Sequence, residues 1–144
     1  GRHVVFGQSD FSPELDMSAY RGASEARIRW FHEQRVNDVH QQTNAATFEW
    51  VRQALRLSRA VQRQACANIE TPILLFQAGR DVWVLNKPQD RFVRNVTDAG
   101  GDIRKSRFDD SLHEIFSMPN AVLGPYLTQI FDFLGASEME TIAG

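Results

Sequence analysis

Two side chains in this sequence have the types and the placing for acid–base work. Asp81 stands just past the apolar run Pro72-Ile73-Leu74-Leu75-Phe76-Gln77, in the turn Ala78-Gly79-Arg80-Asp81. His113 stands just past a second run, Ile103 to Phe108, in Asp109-Asp110-Ser111-Leu112-His113-Glu114. A carboxylate beside an imidazole accepts a hydrogen bond from one ring nitrogen and fixes the tautomer. The other nitrogen is then free to take a proton. Each residue alone also has an ordinary reading. Gly-x-Asp is common turn chemistry, and a His in a polar loop can simply be exposed. The pair, on successive strand ends, is the stronger signal.

The elements that must position this pair form a βαβ unit. The run ending near Gln77 reads as a buried strand, Lys87 to Ala99 as a crossover helix closed by Gly100-Gly101, and Ile103 to Phe108 as a second strand. Parallel strands joined in this way bring their C-terminal ends to one edge, where open α/β sheets hold their ligands. The fold class expected is therefore α/β.

The rest of the chain sets bounds. Its 144 residues suffice for one domain with a core, and 42% hydrophobic against 24% charged residues is ordinary globular composition. A net charge of -2 gives no reason to expect nucleic acid. No apolar run approaches the roughly 20 residues that cross a bilayer. The start, Gly1 to Gly7, has neither a signal peptide's apolar core nor an initiator Met, which reads as part of a longer protein. Cys66 is alone, so no internal disulfide forms; it is read as a buried structural thiol, and the compartment as a reducing one, the cytoplasm.

Ahead of the βαβ unit the chain reads helical and Arg-rich. After an irregular lead-in, a helix is expected from Ser18 or Ser24 to about Glu33. A longer one, capped by Thr43 or Asn44, is expected over Ala45 to Ala67. The second helix carries Arg52, Arg56, Arg59 and Arg63 on one narrow stripe, with no acid between Trp50 and Gln64. That stripe reads either as a solvated face or as a surface for anionic lipid head groups or a phosphate-bearing substrate. Met118-Pro119 opens a final helix that Gly124-Pro125 is expected to kink or restart, and a polar, disordered tail is expected after Gly135. The division expected is 1–68 as a helical cap with its lead-in, 69–135 as α/β core, and 136–144 as tail. His3, His32 and His40 show no metal-ligand spacing, and no metal or organic cofactor is expected.

At these residues the sequence resembles a family. The stretch Pro72 to Val84, then Asp90-Arg91-Phe92 and Leu112-His113-Glu114-Ile115, is similar to the C-terminal end of an α/β-hydrolase. An acid followed by a His is the tail of that fold's Ser…Asp…His order. The match is to the bacterial lysophospholipase and monoacylglycerol-lipase group, and Phe6-Gly7-Gln8, the Arg-x-Arg-Trp-Phe at 27 to 31, and Thr47-Phe48-Glu49-Trp50-Val51-Arg52 resemble the cap of bacterial lysophospholipases. The resemblance runs from about Val5 to Leu134. It implies the C-terminal fragment of an α/β-hydrolase fold, two parallel strands with flanking helices behind a helical cap. It also implies a serine hydrolase acting on a lipid ester, with Asp81 and His113 catalytic. Glu114, which follows the His as in the family, is expected to hydrogen-bond locally and hold the loop. Trp30, Phe48 and Trp50 would line an acyl pocket, or else pack between helices. Arg56 and Arg59 would meet a phosphate-bearing head group, with peripheral contact to an anionic inner-membrane surface.

One element of the family is missing from these residues. No Gly-x-Ser-x-Gly nucleophile elbow occurs. Gly7-Gln8-Ser9-Asp10-Phe11 has Phe11 at the second glycine and no strand before it, which argues against Ser9 as nucleophile. The expectation is a lysophospholipase-type ester hydrolase whose nucleophile lies outside these residues, inactive alone and prone to self-associate. A monoacylglycerol lipase, another acyl or C–C hydrolase of the same fold, and a non-catalytic hydrolase-like binding module are the alternatives.

Overall fold

The structure is a computed structural model describing residues 11–42, 45–63 and 69–143. Ser9, Cys66, His3 and the expected caps Thr43 and Asn44 lie outside the described residues. Among the described residues four α-helices and two strands follow in the order α1 (Glu25–Asn37), α2 (Phe48–Arg63), β1 (Ile73–Ala78), α3 (Asn86–Asp98), β2 (Ile103–Phe108) and α4 (Asn120–Ala143).

The βαβ unit stands where the sequence put it. β1 and β2 pair in parallel, with Ile73 opposite Ile103 and Ala78 opposite Phe108. The ladder opens with the Ile73 N–H donating to the Asp102 carbonyl at 2.9 Å, and it continues past the strands, where the Gly79 N–H reaches the Phe108 carbonyl at 2.8 Å. The crossover helix α3 ends as Gly100-Gly101 forecast. Gly100 takes a φ of +85°, and the amides of Gly100 and Gly101 return to the carbonyls of Thr97 and Val96.

The strand alternation divides the sheet into two faces. On one, α3 packs through fully buried Val96, and fully buried Gln77 donates to the Asp90 carboxylate at 3.0 Å. Gln77 accepts from Arg107 at 2.9 Å, and Lys105 meets Asp90 at 2.7 Å. Every polar end of the buried amide side chain thus has a partner, as burial of such a group requires. On the other face, Phe76, Phe108 and Tyr126 of α4 form a cluster with centroids 4.6 to 6.2 Å apart. The result is helix, sheet, helix: one small α/β layer arrangement.

The helical part departs from expectation in three places. α1 begins after Ser24, one of the two starts expected, but runs past Glu33 to Asn37. α2 begins at Phe48 instead of Ala45, because the Thr47 hydroxyl accepts the Trp50 amide at 3.1 Å and caps the helix there. α4 is one helix with Pro125 inside it, so Gly124-Pro125 does not restart it, and it extends to Ala143 through the stretch expected to be a disordered tail. Pro125 removes one amide donor. It stands past the first turn that Asn120 opens, so α4 runs on without the amide bond that this position would return to the Ala121 carbonyl. Among the described residues no helix is long and apolar enough to cross a membrane.

Candidate active site

The C-terminal edge of the sheet brings Asp81 and His113 together. The His113 Nδ1 lies 2.7 Å from the Asp81 Oδ2. Two short loops do this, the Gly79–Leu85 loop after β1 and the Asp109–Glu114 loop after β2. Their backbones are bound to each other. Besides the Gly79–Phe108 bond, the Arg80 amide donates to the Ser111 carbonyl at 3.0 Å, and the Ser111 amide to the Phe108 carbonyl at 3.1 Å. Close approach at the crossing needs a residue without a side chain. A Cβ on Gly79 would overlap the Asp109 carbonyl oxygen and come within 2.6 Å of the Asp109 Cα.

The carboxylate is held at both oxygens. Oδ1 accepts the amides of Trp83 and Val84 at 2.8 and 2.9 Å, in a tight Asx-type turn, while Oδ2 takes the imidazole. Only 4% of the Asp81 side chain is exposed, against 47% of His113. Burial pushes the Asp81 carboxyl up. The bonds from His113 and from the Val84 and Trp83 amides outweigh it, so the carboxyl lies below its ordinary value. An ionised carboxylate can only accept, so Nδ1 must carry the bonded proton and Nε2 is the lone-pair nitrogen of the neutral ring. Such an arrangement has the geometry an oriented general base requires: one enclosed acid behind a half-exposed imidazole.

The other sequence-selected residues lie elsewhere. Trp30, 62% exposed, borders an open groove of about 550 Å³ between α1 and the start of α4, with Arg27, Pro119 and Asn120. Phe48 and Trp50 open α2 and are exposed, as are Arg56 and Arg59. Among the described residues no hydrogen bond or ring contact joins Trp30, Trp50, Arg56 or Arg59 to the Asp81–His113 pair. The basic stripe is also shorter than expected. Arg52 meets Glu49, just ahead of Trp50, through two bonds of 2.9 and 2.7 Å. That guanidinium, with the Gln53 amide, draws the Glu49 carboxyl down to about 2. Glu49 precedes the stripe in sequence, but i,i+3 spacing puts it within reach of Arg52. Arg56 and Arg59 have no ion-pair partner among the described residues, and the Arg63 side chain lies outside them. Of the other histidines, His32 stacks on Phe11 and sits 2.9 Å from the Pro13 carbonyl, while His40 is exposed.

Three features of the site escaped the sequence reading. The first is the pair of amides at Trp83 and Val84, which the Asp-x-x spacing could have signalled. The second is the apolar run Val82-Trp83-Val84-Leu85, which juts out beside the dyad; Trp83 is 75% exposed. Four apolar residues in a turn serve no turn chemistry, and that was a legible cue. The third is the reach of Arg27 to the Met118 carbonyl at 2.7 Å, a contact that the Arg-x-Arg-Trp-Phe stretch does not signal.

The comparison with family models decides the class. The model described as serine aminopeptidase, S33, matches residues 3–120. The chain belongs to this family of α/β-hydrolases. Searches of curated proteins and of solved structures returned no match. The two parallel strands with their flanking helices are accordingly part of an α/β-hydrolase fold, and the parent activity of the family is hydrolysis.

Proposed function

We propose that Asp81 and His113 are the acid and base of a serine-dependent ester hydrolase, and that its nucleophile comes from polypeptide outside these 144 residues. The observation that supports this reading most is the asymmetry of the pair. An enclosed carboxylate, satisfied at both oxygens, backs a half-exposed imidazole whose far nitrogen has no hydrogen-bond partner among the described residues. In the reaction, a Ser hydroxyl gives its proton to His113 Nε2 while its oxygen attacks the ester carbonyl. The imidazolium so formed is stabilised by Asp81, and its proton then passes to the departing alcohol. In the second half, water attacks the acyl-enzyme by the same proton path.

The substrate class proposed is a lysophospholipid, with a monoacylglycerol or another ester as the competing reading. Arg56 and Arg59 on α2, which have no ion-pair partner among the described residues, support the phosphate-bearing one, and an anionic membrane surface is the matching peripheral partner. Val82, Trp83 and Leu85, apolar and beside the base, suit an acyl chain at least as well as Trp30 does.

An ester assay tests the proposal. The 144-residue chain should turn over no p-nitrophenyl ester. A longer hydrolase containing it should cleave lysophosphatidylcholine and lose that activity on His113→Ala. Turnover by the 144-residue chain that His113→Ala abolishes would place the nucleophile among these residues instead, with Ser9 the first to test.

A further inference from the structure

We infer that Arg27, on the cap helix α1, is the positioning residue that holds the His113 loop in register with Asp81. The inference rests on the reading of His113 as the base, but its test needs no substrate.

The segment after His113 has little structure of its own. Ile115–Ser117 is a single 3-10 turn, closed by the Ser117 amide to the Glu114 carbonyl and the Met118 amide to the Ile115 carbonyl. Glu114 holds this turn locally, as expected, its carboxylate accepting the Ser117 hydroxyl at 3.2 Å. The turn's last carbonyls point out of it and need donors from another element. α1 supplies both. The Ser24 amide donates to the Ser117 carbonyl at 2.9 Å. The Arg27 guanidinium donates to the Met118 carbonyl at 2.7 Å and, with its second amino group, to the Asn120 side-chain oxygen. Around these bonds Ile28, Ile115, Ser117 and Met118 are buried.

His113 therefore sits between two anchors. Upstream, Ser111 is tied to Arg80 and so to the Asp81 loop. Downstream, the turn is tied to α1. Between them the half-exposed imidazole has, among the described residues, one hydrogen bond to fix it, that to Asp81. Release of the downstream anchor lets the backbone carry the ring away from the carboxylate, and an imidazole displaced by about 1 Å is a much poorer base. The planar fork of Arg is what permits the two-point grip. A Lys reaches one acceptor, so the conservative replacement should restore part of the effect only.

Proton NMR of the 144-residue chain tests this. The hydrogen-bonded His113 Nδ1–H should give a far-downfield signal that disappears in His113→Ala. In Arg27→Ala it should broaden and exchange with water faster, by roughly tenfold, the scale of a lost charge-assisted hydrogen bond to a carbonyl. Arg27→Lys should fall between the two, and Asn120→Ala should show a smaller change in the same direction. The amides of Leu75 and Gln77 report whether the sheet stays folded. If Arg27→Ala disturbs the sheet, Arg27→Lys and Asn120→Ala carry the comparison. Unchanged exchange of the Nδ1 proton in the variants that keep the sheet would overturn the proposal. Absence of esterase activity in the parent hydrolase would overturn the function proposed above and leave this result standing.

Discussion

Asp81 is enclosed and His113 is half open, though only 2.7 Å separates them. The difference comes from the loops. The Asp81 turn folds its own amides at Trp83 and Val84 around the carboxylate, whereas His113 has a polar loop behind it and solvent ahead. Asp81 thus serves the imidazole and its own turn at once. Asp81→Ala should cost roughly 2 kcal/mol of stability, since it leaves two backbone amides without their acceptor and frees the ring. Asp81→Asn keeps the shape but offers an amide to Nδ1 in place of a pure acceptor. In the parent hydrolase it should lower kcat on the order of 10⁴-fold by favouring the wrong tautomer. Urea unfolding and ester turnover read the two effects separately.

The same carboxylate makes stability depend on pH with a definite sign. Its folded value lies below the unfolded one, so the stabilisation is fully present above the unfolded value. It is lost as pH falls through the folded value. The loss should appear below about pH 4. Asp90 and Glu49 are also held low, by Lys105 and by Arg52 first, so the whole acid limb is composite. Urea midpoints of the parent chain and Asp81→Asn, compared from pH 7 to pH 3, isolate the share of Asp81. The gap between them should narrow as the pH falls; a constant gap would refute the assignment.

Gly79 is the position where one methyl group should do the most harm. A side chain there meets the Asp109 backbone, which cannot step aside without parting the two loops. Gly79→Ala should destabilise the chain by about 1–3 kcal/mol. It should also weaken the downfield His113 signal more than an equally destabilising change at Val96, which is far from the dyad loops. Equal losses of that signal would mean that the crossing supports the sheet alone.

Arg56 and Arg59 of α2, without an ion-pair partner among the described residues, give a lipid prediction with an internal control. Each basic side chain near an anionic surface contributes about 1 kcal/mol, so Arg56→Gln with Arg59→Gln should weaken partitioning to anionic vesicles roughly thirtyfold. Arg52→Gln should matter less, because Glu49 already neutralises Arg52. Co-sedimentation with vesicles of anionic and of zwitterionic lipid measures both. Equal effects of all three positions, or none on either lipid, would remove α2 as the contact.

The sequence made the local parts legible. Strand β2 falls on the residues expected, β1 is shifted by one, and the acid and His stand at the edge where the βαβ unit had to bring them. Periodicity and turn residues carry that information, because each acts within a few positions. What stayed hidden acts across distance or just outside a chosen window. Arg27 and Asn120 bond across 93 positions, and nothing in Arg-Ile-Arg-Trp tells which arginine turns inward. Glu49 lies just ahead of Trp50, outside the acid-free stretch, yet one helical turn brings it onto Arg52. Of the kink or restart expected at Gly124-Pro125, the restart did not occur. A missing donor weakens a helix, but Tyr126 just beyond it is locked onto Phe76 and Phe108, and packing outweighs the local preference.

The two strands differ at their outer edges, and that difference predicts association. β2 carries Arg104, Lys105 and Arg107, exposed charges of the kind that guard an edge. β1 carries none between Ile73 and Ala78, and among the described residues it pairs only with β2. The Ile73 and Gly79 amides point toward β2. By strand alternation so do those of Leu75 and Gln77, which leaves Leu74, Phe76 and Ala78 with amides directed at the open side. The chain should therefore associate as its concentration rises, pairing that side with another copy. Hydrogen exchange should show Leu75 and Gln77 protected at every concentration, and Leu74, Phe76 and Ala78 protected only as the sedimentation coefficient increases. A single monomeric boundary throughout, or protection of both sets in dilute solution, would mean that the open edge is already covered within one chain.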